Sequence, residues 1–254
     1  MEINKIYNCD CLEGMKHIPN ASIDAIICDL PYGTTACAWD TIIPFDALWA
    51  EYKRIVKPNA PIVLFGSEPF STLLRMSNLK GFKYDWIWEK SKASNFLLAS
   101  HCPLKAHEII SVFCFDGTAN YYPQKTKGEP FNKGVRKNED GIVTKAYNKV
   151  PNPNYEIKNE DGMRNPRSVI YYKTAESEGD SFHPTQKPVD LLRYLIRTYS
   201  NEGDTILDNC MGSGTTAVAC IKEKRHFIGF ELNKDYYDKA CRRIDAERRQ
   251  LSLF

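Results

Sequence analysis

Apolar positions along the chain fall into two alternating patterns, short unbroken blocks and stretches where they recur every three or four residues. The blocks at 24–29 (Asp24-Ala25-Ile26-Ile27-Cys28-Asp29), 61–66, 84–88 and 109–115 read as buried strands rich in β-branched and aromatic residues. Between the first two blocks, Phe45, Leu48, Trp49, Tyr52, Ile55 and Val56 line one face of a predicted helix that Pro58 stops. Farther on, Pro188 opens a helix carrying Val189, Leu192, Leu195, Ile196 and Tyr199. A strand ending in Asp208 follows, then a turn (Gly212-Ser213-Gly214) and a small-residue helix over 215–220. A strand over 226–230 is closed by Glu231, and a charged helix runs from Asn233 to about Arg249. Residues 204–231 have the size of one βαβ unit, and the alternation predicts an α/β, doubly wound, mostly parallel sheet.

The pattern breaks between about 120 and 174, where Tyr, Asn, Lys and Pro replace apolar periodicity. Residues 120–175 hold 8 Lys and 3 Arg against 6 acids, a surplus of 5, while the whole chain carries only +2. A basic, tyrosine-threaded stretch suits phosphate contacts and base stacking, and composition fits a solvated surface excursion equally well.

The 254 residues are 43% hydrophobic and 26% charged, which excludes disordered, collagen-like and coiled-coil chains. No run approaches the roughly 18 apolar residues of a membrane helix, and the first five residues lack a signal peptide's apolar run, so a soluble cytoplasmic protein without membrane contact is expected. Nine cysteines without a C-x-x-C pair point to reduced, buried thiols and no metal site.

Two constellations carry chemistry. Gly212-x-Gly214-x-x-Ala217 sits between a predicted strand and helix, with Glu231 ending the next strand, as a nucleotide-cofactor turn requires. Asp208 at the strand end would repel a dinucleotide pyrophosphate but tolerate a sulfonium, which favours S-adenosyl-L-methionine over NAD. The alternative is that Asp208 caps the turn. An NAD-dependent oxidoreductase remains the rival from another enzyme class, and a DNA-binding protein without turnover the non-enzymatic one.

The second constellation, Asp29-Leu30-Pro31-Tyr32, follows a strand end, where the bland reading is a turn with Asp29 capping and Pro31 bending the chain. It resembles the catalytic tetrapeptide, Asp/Asn/Ser-Pro-Pro-aromatic, of DNA amino-methyltransferases acting on adenine N6 or cytosine N4. Leu30 departs from the usual proline but supplies the same carbonyl. The order of tetrapeptide, insert and glycine turn is similar to the β class of that family, as is His183-Pro184-Thr185-Gln186-Lys187-Pro188 ahead of the glycine strand. The resemblance implies a seven-stranded Rossmann-like methyltransferase sheet over 1–254, with a target-recognition insert over 116–180. It implies methyl transfer from S-adenosyl-L-methionine to a base flipped out of double-stranded DNA. Asp29 and the Leu30 carbonyl would accept from the amine. Tyr32 would stack on the base, a role needing only its ring, so Tyr32→Phe would be tolerated. Asp10 would take the cofactor adenine, Glu231 its ribose, and Gly212, Ser213, Gly214 and Thr215 its methionine end, joined by Thr185 or Lys187. Asp29 and Asp208 would stand at the same site. Arg136, Arg164 and Arg167 are expected readers of the DNA. His107-Glu108 is expected to be structural, and Trp39-Asp40, on a loop from Gly33, either covers the flipped base or packs in the core. Adenine is preferred to cytosine because the tetrapeptide starts with Asp. The group suggests a homodimer, and the tail Gln250-Leu251-Ser252-Leu253-Phe254 resembles a sliding-clamp-binding peptide.

Overall fold

The computed structural model describes residues 1–34, 40–136, 155–177 and 185–251. They divide into two compact units, Met1–Tyr122 with Ser168–Phe254, and Pro123–Arg167. Strands in chain order are β1 (Lys5–Tyr7), β2 (Ala25–Cys28), β3 (Ile62–Gly66), β4 (Phe82–Ser94), β5 (Lys105–Phe113), β6 (Thr126–Lys127), β7 (Phe131–Arg136), β8 (Tyr155–Asn159), β9 (Met163–Arg164), β10 (Val169–Tyr172), β11 (Thr205–Asp208) and β12 (His226–Phe230). The described α-helices are α1 (Cys11–Met15), α2 (Phe45–Ile55), α3 (Phe70–Ser77), α4 (Val189–Tyr199), α5 (Thr215–Lys222) and α6 (Lys234–Leu251).

The first unit holds one eight-stranded sheet in the order β1-β12-β11-β2-β3-β5-β4-β10. Every neighbouring pair is parallel except the two that β5 makes with β3 and β4. The expectation from resemblance was seven strands; the eighth is β10, which pairs parallel with β4 through Ile170↔Trp88 and Tyr172↔Lys90. Its four residues lie in the polar stretch read as insert, and only alternate ones are half-buried at the sheet edge, so no unbroken apolar block announces it. The separate unit is correspondingly shorter, at Pro123–Arg167, than the insert drawn over 116–180.

Both sheet faces are covered, so the central strands are apolar throughout, as parallel sheets require. Ala25 and Ile27 of β2 face a cluster with Leu191, Leu195, Ile196, Ala217 and Ala240 from α4, α5 and α6. Ile26 and Cys28 face the opposite cluster, with Met15 of α1, Leu48, Tyr52 and Ile55 of α2, and Leu74 of α3. Period-two alternation therefore splits one four-residue strand between two cores.

The second unit contains two small antiparallel ladders, β6 with β9 and β7 with β8. Arg164, expected to read DNA, is half-buried. Its guanidinium stacks 4.9 Å from the Phe131 ring centroid and bonds to the carbonyls of Glu129 and Gly162, so it fastens the ladder. Arg167 is exposed. The Arg136 side chain, His183, Pro184, Trp39 and residues 252–254 of the tail lie outside the described residues. No described helix is long and apolar enough to cross a membrane. Among the described residues no group of three or more His, Cys, Asp or Glu is arranged to hold a metal ion.

Candidate functional site

Connections leave the middle of the sheet in opposite directions. From β2 the chain passes through α2 to β3 on one side, and from β11 it passes through α5 to β12 on the other. β2 and β11 are adjacent and parallel, with Leu207 opposite Ile26, so a crevice opens beyond their carboxyl ends. The tetrapeptide starting at Asp29 follows β2, and the glycine turn follows β11. Two signals 180 residues apart in sequence thus meet because of strand order alone.

A cavity of about 310 Å³ joins the ends of this crevice, with Asp29, Leu30, Pro31 and Tyr32 in its wall together with Asp10 and Glu231. A smaller recess of about 40 Å³ connects Asp29 to Thr185, Lys187, Asp208, Gly212 and Ser213. The Leu30 side chain is buried in the core with residues of α2. Tyr32 donates its hydroxyl to Asp29 Oδ1 at 2.6 Å, and its ring stacks on Phe70 at 5.0 Å. Lys187 Nζ stands 2.5 Å from Asp29 Oδ2 and 3.3 Å from Glu108 Oε2, and the other oxygen of Glu108 is paired with Lys90. Charge alternates along this row: Asp29, Lys187, Glu108, Lys90.

Burial is the strongest influence on the Asp29 carboxyl and raises its pKa, against the pull of Lys187 and with the push of Glu108. Burial also opposes the charge on Lys187, yet its two carboxylate neighbours outweigh that and hold it above an ordinary lysine. Glu108 is kept low by the two lysines despite its burial. Tyr32 lies well above a free tyrosine through burial and then the Asp29 charge, so it stays a donor.

Asp10 caps α1, accepting from the N–H groups of Leu12 and Glu13 through Oδ1, which leaves Oδ2 for another donor. Glu231 accepts from the Gly212 N–H and the Asn233 N–H, one on each oxygen, both at 2.8 Å, and burial nonetheless raises its pKa. It ties the end of β12 to the glycine turn. Gly212 and Gly214 have φ of 51° and 76°, and a Cβ on Gly214 would stand 3.1 Å from the Ala240 Cβ. Glycine is required there by backbone conformation as well as by the approach of α6. Ser213 and Thr215 bond to each other and to Arg243 of α6.

Asp208 lines the smaller recess and also makes the bonds of the capping alternative. Its oxygens accept from the Cys210 N–H and the Thr216 hydroxyl, so it closes the turn onto α5, and burial raises it to about 6. Lys187, expected at the methionine end, lines the smaller recess with Gly212 and Ser213 and turns its ammonium to Asp29, and Thr185 lines both hollows. Asp40 is buried and accepts from the N–H groups of Gly33 and Thr34, fixing the start of the loop that follows the tetrapeptide. Glu108 and Lys90 were missed as site residues. The available signal was a carboxylate at the head of the apolar run 109–113, a position where burial without a partner is costly.

Comparisons with known proteins agree with this geometry. The DNA methylase family, which covers N6 and N4 enzymes, matches residues 23–242. Over 96% of its length the chain is 30% identical to the DNA adenine methyltransferase YhdJ of Escherichia coli (strain K12), covering 84% of that protein. Over 94% of its length it is 29% identical to the Type II methyltransferase M1.MboII of Moraxella bovis, covering 96% of it. Among solved structures, an M1.HpyAVI-SAM complex superposes with a TM-score of 0.65 at 25% identity, over 94% of this chain and 98% of that one. The sheet, its switch-point crevice and the family match lead to one conclusion: the chain belongs to the N6/N4 DNA methylase family, the amino-methyltransferases of DNA.

Proposed function

We propose that this DNA methyltransferase moves the methyl group of S-adenosyl-L-methionine to the exocyclic N6 of an adenine flipped out of double-stranded DNA. The observation that carries the reading is the placement of Asp29 and Leu30 in one cavity wall with Asp10 and Glu231. The residues fit the cofactor on chemical grounds. Asp10 Oδ2 suits the adenine amine, the remaining lone pairs of Glu231 suit ribose hydroxyls, and the turn over 212–215 brings backbone and hydroxyl groups to the amino-acid end. When bound, the cofactor supplies a methyl group made electrophilic by its sulfonium.

An exocyclic amine is a weak nucleophile because its lone pair is shared with the ring. Asp29 and the Leu30 carbonyl, by accepting the two amine hydrogens, draw density back to nitrogen and stabilise the charge that grows there. Each Asp29 oxygen already holds one donor, which fixes the carboxylate while lone pairs remain for the amine. Tyr32, braced by Phe70, offers an aromatic surface beside them. Adenine is favoured over cytosine by the leading Asp and by similarity to an adenine methyltransferase.

The unit Pro123–Arg167, with seven Lys and three Arg against six acids, is the proposed DNA-reading part. Chromatography of nucleosides from DNA of cells expressing the chain tests the choice of base. N6-methyladenine is expected, and N4-methylcytosine in its place overturns the adenine assignment.

A further inference from the structure

Four charged side chains form a row of contacts that begins at Asp29 of the tetrapeptide, and only the first of them lies in the wall of the larger cavity. Lys187 is 8% exposed and Glu108 12%, so neither pairing is a surface accident. They come from three separate places. Asp29 follows β2, Glu108 and Lys90 sit on the antiparallel pair β5 and β4, and Lys187 arrives from the segment ahead of α4, 158 residues after Asp29. Bringing a lysine and a glutamate into such a place costs desolvation on both, which a pairing of good geometry offsets and which packed apolar side chains would avoid. The aromatic neighbours support the cation further: Lys187 Nζ is 5.3 Å from the Phe65 ring centroid and 5.8 Å from that of Tyr32.

We propose that Lys187 and Glu108 are positioning residues for methyl transfer: Lys187 holds the Asp29 carboxylate charged and aimed at the substrate amine, and Glu108 holds Lys187. This rests on the reaction proposed above. Asp29 must be an anion to act as the stronger acceptor, and burial works against that. Lys187 supplies the opposing charge at Oδ2, and Tyr32 fixes Oδ1 without adding charge. Glu108 is itself balanced by Lys90, so it anchors Lys187 without leaving a net negative row behind Asp29. The groups that bear on Asp29 are then Tyr32, Lys187, Glu108, the thiol of the preceding Cys28 and, across the crevice, Asp208.

The arrangement gives opposite signs for two substitutions. Removing the cation by Lys187→Met makes Asp29 harder to ionise, so its titration and the acidic limb of the kcat profile move to higher pH. Glu108→Gln removes the like charge while its amide oxygen still accepts from Lys187, so it moves both to lower pH. Lys187→Arg, which keeps the charge, returns them toward wild type. At neutral pH, Lys187→Met lowers kcat by about 10- to 100-fold, the worth of one hydrogen bond to a charged group, with KM for DNA unchanged.

The experiment is carboxyl-carbon NMR of the full chain labelled at aspartate, with the Asp29 signal assigned by its loss in Asp29→Asn, run beside methyl-transfer profiles. Shifts of opposite sign in the two variants support the proposal. Absence of movement in variants that unfold at the wild-type temperature overturns it. Should Lys187→Met fail to fold, Glu108→Gln decides: a downward shift supports the proposal and none overturns it. Asp29 signals that move as expected in a chain that transfers no methyl overturn the proposed reaction and leave the electrostatic link standing.

Discussion

The phenolic oxygen of Tyr32 lies 2.6 Å from Asp29 Oδ1, so the aromatic residue of the tetrapeptide is hydrogen-bonded to its acid. That bond changes what substitution at the position does. Were stacking its only role, Tyr32→Phe would be neutral. With the hydroxyl serving a buried carboxylate, Tyr32→Phe is expected to lower kcat by about tenfold or more, the loss of a hydrogen bond to a charged group. Tyr32→Ala loses the packing on Phe70 as well and should fall further. Steady-state methyl transfer by the two variants checks the order; equal rates for Phe and Tyr contradict it.

Gly214 combines a left-handed backbone with a neighbour 3.1 Å from its missing Cβ. Gly214→Ala therefore costs about 1–2 kcal/mol in backbone strain alone, with the shift of Ala240 added. The turn it distorts is the one proposed for the amino-acid end of the cofactor. Calorimetric titration with S-adenosyl-L-methionine should show weaker binding, by roughly tenfold, while the chain stays folded.

Asp208 supplies a pH test. Its carboxyl titrates near 6 in the folded chain because burial outweighs the bonds from Thr216 and Cys210. A folded pKa raised above the unfolded one means the native state holds the proton more tightly. The contribution to stability is then present in full below about pH 4, declines as pH rises to about 6, and is flat above, a span on the order of 3 kcal/mol. Urea unfolding of Asp208→Asn should lack this decline. A variant whose pH dependence parallels wild type between those limits contradicts the assignment.

DNA affinity should fall steeply with salt, because the surplus positive charge of Pro123–Arg167 would act through phosphates. Arg164→Ala should behave differently from Arg167→Ala. The first unfastens a ladder from Phe131 and lowers thermal stability, whereas loss of the exposed Arg167 lowers DNA affinity without moving the melting temperature. Fluorescence anisotropy over a salt series, with melting curves, separates them.

The sheet was legible wherever an apolar block ended in an acid. Asp29, Asp208 and Glu231 close β2, β11 and β12, and those three strands are buried along nearly their whole length. What escaped depended on partners distant in sequence. β10 is half exposed and defined only by pairing with β4, so no local pattern marks it. α3 is eight residues long with only Phe70, Ser71 and Leu74 buried, too few for a periodic signal. The row from Asp29 to Lys90 follows from the register that sets Trp88 opposite Glu108, and from a lysine arriving out of the next segment. Motif spacing carried the residues of the cavity wall but not what stands behind them. The same limit explains Lys187, whose hexapeptide gave its neighbourhood while the fold gave its direction.

In the proposed reaction, Asp29 acts on a nucleobase amine beside the cofactor site. The most direct measurement is transfer of labelled methyl from S-adenosyl-L-methionine to duplex DNA by wild type and by Asp29→Asn, with the labelled base identified. Label is expected on adenine N6 with wild type, and a loss of about 10²–10³-fold in turnover with Asp29→Asn at nearly unchanged cofactor affinity. Equal turnover by the two proteins would contradict it.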